Sequence, residues 1–205
     1  MRISISELGY LPTIDFFHKM YHSDIFILLD NIVTDSRHVK TAFKTPNGKI
    51  VLTVPIFLVK NQLIKDTKIV SNNWQRQHWN CIELAYKGCK YHELVEGFRD
   101  FYLNNKWENL GKLNIKLVKK IHGLLDIKTK LVRFSSLKQD ILKTYPDGYM
   151  FTKTFKERTY KQLHGKFISD LSFLDFLFNC GGIGKYDLEK YFIKKEATKK
   201  DGSTN

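Results

Sequence analysis

The sequence predicts an α/β fold: a βαβ opening that feeds a mostly parallel or mixed sheet, followed by a helical segment. Three features predict it. Residues Ile3 to Leu11 read as a short alternating strand that stops at Pro12. The run Ile25 to Leu29 is apolar throughout, the pattern of a strand buried on both faces of a parallel sheet. From Trp74 to about Leu125 the apolar spacing turns helical.

Between the first two strands, Thr13 is placed to cap a helix whose Ile14, Phe17 and Met20 share one face. Strand, turn, helix and buried strand make a βαβ unit, and in open α/β sheets ligands gather at the carboxyl ends of such strands. That puts the Gly9-Tyr10-Leu11-Pro12 turn and Asp30, at the end of the buried run, at one candidate mouth. Asn47-Gly48 suits a type I′ hairpin turn joining Ala42–Thr45 to Ile50–Val54, and Thr67–Val70 reads as another short strand. Three helices are expected over Trp74–Tyr86, Tyr91–Leu103 and Lys106–Leu125, broken at Gly88 and Asn104–Asn105. A late strand over Lys130–Phe134 leads to a short helix opened by Ser135–Ser136. Tyr145–Gly165 reads as a long loop or hairpin insertion, Ser169–Phe178 as an amphipathic helix stopped by Gly181–Gly182. One domain over 1–194 is expected, with a disordered tail over 195–205.

The chain has 205 residues, enough to bury a core without disulfide or metal. Its formal net charge is +13, and the segment from Lys194 to Asn205 supplies only two of those charges, four Lys against Glu196 and Asp201. The folded body is therefore basic and attracts phosphates, whether on nucleic acid, nucleotide-sugars or anionic lipid. Three cysteines without a CxxC pair, the acidic Glu7 and Asp15 in the first stretch, and no apolar run near the length of a membrane span favour a cytoplasmic protein with free thiols.

Few constellations carry chemistry. His18 and His22 have the helical spacing of two zinc ligands, but Lys19 stands where a zinc protease has Glu, and no third ligand is apparent; no metal is expected. The phosphate cradles GxxxxGK[ST] and GxGxxG are missing, as is the GxSxG elbow, and no cofactor is expected. Arg37, His38, Lys40 and Lys44 lie on a loop entering the hairpin, where Arg and Lys could clamp a phosphate or carboxylate; a solvated charged loop explains them equally well. Trp74, His78 and Tyr86 fall near one helical face. His78 could act there as acid or base, although spacing alone favours a satisfied core histidine.

Taken together, Ile5-Ser-Glu-Leu-Gly-Tyr-Leu-Pro12, Phe16–Lys19, Asp24–Asp30, Lys44-Thr-Pro-Asn-Gly48, Leu52–Pro55 and Trp74-Gln-Arg-Gln-His78 resemble the WbqC-like family. Leu113-Asn114 and Ser135-Ser136-Leu137 fall where that family has an Asn after Leu and a Ser pair. The resemblance covers about 3–137. One departure is that Arg37 alone remains of a basic stretch the family carries before the hairpin, replaced here by Val39–Phe43. That loss fits either a different substrate or lost activity.

The resemblance implies a biosynthetic enzyme of bacterial surface polysaccharide or O-antigen pathways. It would be a transferase moving an acyl or aminoacyl group onto a nucleotide-activated amino sugar. His78, oriented by Trp74 and Tyr86, is then the expected base. Tyr10, Asp30, Arg37, Lys44, Asn47 and Trp74 are the expected substrate contacts. The rival expectation is a non-catalytic basic module for nucleic acid or a phosphorylated partner.

Overall fold

A computed structural model describes residues 1–137, 149–150, 155–157, 159–181 and 192–194. It opens on strand β1 (Arg2–Glu7), helix α1 (Ile14–Tyr21) and strand β2 (Ile25–Leu29), the predicted βαβ unit. β1 and β2 pair in parallel with Ile3 opposite Ile25. β5 (Lys130–Arg133) and β6 (Tyr149–Met150) extend the sheet in the order β5-β2-β1-β6, every pair parallel. The apolar run of β2 is divided between two faces. Phe26 and Leu28 point into the main core, whereas Ile25 and Ile27 join Ile3 in a smaller cluster backed by Val132, Phe134 and Leu137. A strand buried on both sides has no place for polar residues, and that is why its sequence does not alternate.

α1 buries Ile14, Phe16, Phe17, His18 and Met20. Thr13 holds the N-cap position, but its side chain makes no cap bond; it forms an isolated bridge with Ser172 instead. A one-turn helix α2 (Ser36–Val39) is closed by a capping box between Asp35 and His38. It leads into the antiparallel hairpin of β3 (Lys40–Thr45) and β4 (Gly48–Thr53). The hairpin is present, but its turn is not the expected type I′. Thr45 pairs with Gly48, so the chain reverses over Pro46-Asn47, and only Gly48 has positive φ, +110°. Proline locks φ negative, which excludes the mirror-image turn.

Thr67–Val70 is not a strand. It makes single bridges, Ile69 with Ile56 and Lys68 with Asn109. The helical segment contains α3 (Trp74–Ala85), α4 (His92–Glu96), α5 (Arg99–Leu103) and α6 (Leu110–Leu124). The expected second helix is thus two short ones, parted at Gly97-Phe98 with Phe98 buried. The third starts later than expected, where the Asn109 side chain accepts from Lys112 N–H. Residues 134–136 form a single 3₁₀ turn, and α7 (Phe173–Cys180) is capped by Ser172 and ended by Gly181 at φ +91°. Of the expected 145–165 insertion, β6, β7 (Phe155–Glu157) and an irregular stretch from 159 are described. β7 pairs antiparallel with β8 (Phe192–Lys194). The remainder of that insertion and the 195–205 tail lie outside the described residues.

Candidate functional site

A cleft of about 440 Å³ opens where β1 ends, at the carboxyl edge of the parallel sheet. Its floor is the Gly9-Tyr10-Leu11-Pro12 turn, and Leu11 there has φ +46°, a left-handed conformation that costs a branched residue about 1–2 kcal/mol. Three neighbours hold the turn in that shape. Tyr10 N–H donates to His38 O at 3.1 Å, Thr41 Oγ1 donates to Leu11 O at 3.0 Å, and Asn114 Nδ2 reaches both Leu8 O and His38 O. Lys19, Arg37, Lys40 and Lys49 line the walls against Glu7, Asp15 and Asp170. Glu7, the last residue of β1, contacts Arg37 Nη1 at 3.0 Å and His38 Nε2 at 3.3 Å. His38 Nδ1 accepts from Asp35 N–H at 2.9 Å, so the proton of the neutral ring faces Glu7.

Three of the sequence-predicted residues come together directly beneath this floor. Tyr10 Oη lies 2.9 Å from His78 Nδ1 and 2.7 Å from Tyr102 Oη, with Trp74 packed edge-on against both Tyr10 and His78. The Thr53 backbone also interacts with the His78 ring. All four rings are buried. Burial is the main reason that His78 is lowered to about 4, opposed by the Thr53 bond. Nδ1 is taken by Tyr10, and such a low value suits a neutral core imidazole rather than a base working near neutral pH. Helical spacing could find His78 and Trp74; Tyr102 carried no signal, because its partner lies 92 residues away.

Lys44 and Tyr86 meet elsewhere, around Asp175. Tyr86 Oη donates to Asp175 Oδ1 at 2.6 Å, and Tyr160 Oη donates to Oδ2 at 2.7 Å. Lys44 Nζ donates to Gln162 Oε1 at 2.9 Å and to Lys166 O. Burial pushes the Asp175 carboxyl above the usual carboxylate range, against the pull of the two tyrosines and Lys44. Tyr86 is therefore committed to Asp175, not to His78, and Lys44 is a buried cation rather than a free phosphate clamp. Asp30 forms a third cluster. It is fully buried and accepts from Arg133 Nε at 2.8 Å, Ser135 N–H at 2.9 Å and Ser135 Oγ at 2.6 Å. Burial alone would raise its carboxyl, but Ser135 and Arg133 outweigh burial and hold it low. Asn47 sits in the hairpin turn.

Of the eight predicted site residues, Tyr10 and Arg37 line the cleft. Sequence reasoning overlooked Glu7, whose place beside His38 depends on a contact spanning 31 positions.

Among the described residues, no three His, Cys, Asp or Glu gather as a metal site, and no helix is long and apolar enough to cross a membrane. His18 and His22 do approach, Nε2 to Nε2 at 3.0 Å, and burial chiefly lowers His18 to about 3.

No solved structure matches this chain. The uncharacterized protein Rv1507c of Mycobacterium tuberculosis is 28% identical over 217 residues, spanning 88% of this chain and 94% of that protein. The sequence model of the WbqC-like protein family matches residues 9–147, from the floor of the cleft through the hairpin and the helical segment. The chain belongs to the WbqC-like protein family.

Proposed function

We propose that this protein is a transferase of bacterial surface-polysaccharide biosynthesis, moving an acyl or aminoacyl group onto a nucleotide-activated amino sugar bound in the β1 cleft. The observation that carries this reading is the cationic rim of Arg37, Lys40, Lys19 and Lys49 around a strained turn at the carboxyl end of a parallel sheet. Arg37 and the lysines take the diphosphate oxygens through charge-assisted bonds. Glu7, held between Arg37 and His38, accepts the proton of the attacking amine or hydroxyl as the acceptor bonds to the acyl carbon and the donor's leaving group departs. Tyr10, Trp74 and His78 position the floor. Lys44 and Tyr86, through Asp175, fix the hairpin wall, and Asp30 fixes the neighbouring strand end.

Thermal melting with UDP-N-acetylglucosamine and dTDP-glucose as probes tests the reading. At ten times its dissociation constant a ligand adds about 1.4 kcal/mol, which raises the melting temperature of a chain this size by roughly 3–6 °C. Lys40→Glu, at an exposed position, should remove most of that rise. Stabilisation by short oligonucleotides instead, falling steeply with salt, would move the assignment to a nucleic-acid module.

A further inference from the structure

We propose that the loop Phe57–Val59 is a docking tip for an anionic lipid surface. After β4 the chain leaves the body and returns between Pro55 and Val70, and both limbs are pinned. Val70 N–H donates to Pro55 O at 2.9 Å and Phe57 N–H to Lys68 O at 3.1 Å. At the far end Gln62 N–H closes a turn on Val59 O, with Asn61 at φ +57°, a conformation that Asn tolerates better than most residues. Thr34 N–H donates to Gln62 O, and Val33 bridges Leu63. The projection is thus a built feature of the fold.

Its tip is apolar and uncovered. Phe57 is 54% exposed, Leu58 91% and Val59 60%, with Val33, at 49%, on the adjoining bridge. Single exposed apolar residues are ordinary, whereas three in succession on a fixed projection mark a surface that something else covers. Charge selects the occupant. From position 57 to 68 the segment carries Lys60, Lys65 and Lys68 against Asp66 alone, on a chain of net charge +13. Apolar side chains reaching the acyl boundary, with lysines beside them at headgroup level, meet a bilayer rich in anionic lipid on both terms. An apolar protein groove would satisfy only the first. Neither term anchors alone; together they give reversible, salt-sensitive attachment.

The test is co-sedimentation of the full chain with vesicles of phosphatidylcholine alone, or of equal parts phosphatidylcholine and phosphatidylglycerol. The expected result is capture by the anionic vesicles, at least roughly ten-fold stronger than by the neutral ones. The triple variant Phe57→Ser, Leu58→Ser, Val59→Ser, and Leu58→Ser alone as the most conservative version, should lose most of that capture while melting like the parent. Three results would overturn the proposal: no capture of the parent, equal capture of the serine variants (which would mean charge alone), or a parent that elutes as a dimer and becomes monomeric in the serine variants. The last would assign the tip to a second copy of this chain.

Discussion

His78 makes the protein acid-labile between about pH 6.5 and about pH 4. The unfolded imidazole titrates near 6.5, and the folded one is lowered to about 4. Between those values the unfolded chain binds a proton that the folded chain refuses, so stability falls as pH drops through the window and levels off below it. Going from 6.5 down to about 4, at about 1.36 kcal/mol per tenfold change in proton activity, amounts to about 3 kcal/mol. The hydrogen bonds explain the refusal. With Nδ1 bare, the buried chain can run from Tyr102 Oη to Tyr10 Oη to His78 Nδ1. A proton on Nδ1 forces Tyr10 to turn its own O–H toward Tyr102, which then loses its acceptor. The assay is urea unfolding of the parent and of His78→Gln from about pH 7 down to about pH 4. Gln keeps a donor and an acceptor but does not titrate. The acid sensitivity of His18 and of the carboxylates is common to both proteins and cancels in the comparison. The parent should lose about 3 kcal/mol more than the variant across the window. Parallel curves would refute both the buried neutral imidazole and the tyrosine chain built on it.

Three further outcomes follow from packing and buried bonds. Gly111→Ala should destabilise by roughly 1–3 kcal/mol in urea unfolding, because a Cβ there would meet Lys65 Cα at 2.9 Å and Ile64 O at 3.1 Å, both backbone atoms that cannot swing away. Tyr86→Phe should cost about 1–3 kcal/mol by leaving Asp175 Oδ1 without its donor. Combined with Tyr160→Phe, which strips the other oxygen, the loss should differ from the sum, as a double-mutant cycle would show. Ser172→Ala should lower the melting temperature by the equivalent of about 1 kcal/mol, since Ser172 Oγ caps α7 through Leu174 N–H.

What the sequence disclosed was periodicity, and what it concealed was pairing across distance. β1, α1 and β2 were readable because each signals its burial in its own spacing, and β2 signals it twice by having no polar face. Asn47-Gly48 signals a type I′ turn by itself, but Pro46 before it shifts the reversal to Pro46-Asn47 and leaves positive φ to Gly48. Thr67–Val70 has a strand's composition, but its neighbours offer single bridges rather than a ladder. Lys44 is the sharpest case. A lysine in a hairpin reads as a surface cation, and its burial is made tolerable by Gln162, the Lys166 carbonyl and the Asp175 carboxyl, all more than a hundred residues later. Tyr86 with Asp175 and Glu7 with His38 were concealed in the same way.

The positions that carry the family resemblance turn out to share a mechanical task. Tyr10, Trp74 and His78 lock the turn from below. Asn114 grips the backbone on both sides of it, at Leu8 O and His38 O. Asp30 and Ser135 tie the end of β2 to the turn after β5, and Lys44 leads the hairpin wall to the Asp175 cluster. A left-handed Leu11 persists only where its surroundings over-determine it, and these contacts do so. Lys40 and Lys49 stand exposed on the rim outside this buried bonding, while Arg37 and Glu7 are tied to each other, to Asp35 and to His38. A family can therefore keep the frame and change the rim. Rim substitutions such as Lys40→Glu should accordingly change ligand-induced melting shifts and leave the ligand-free melting temperature in place, whereas His78→Gln should move the ligand-free value itself.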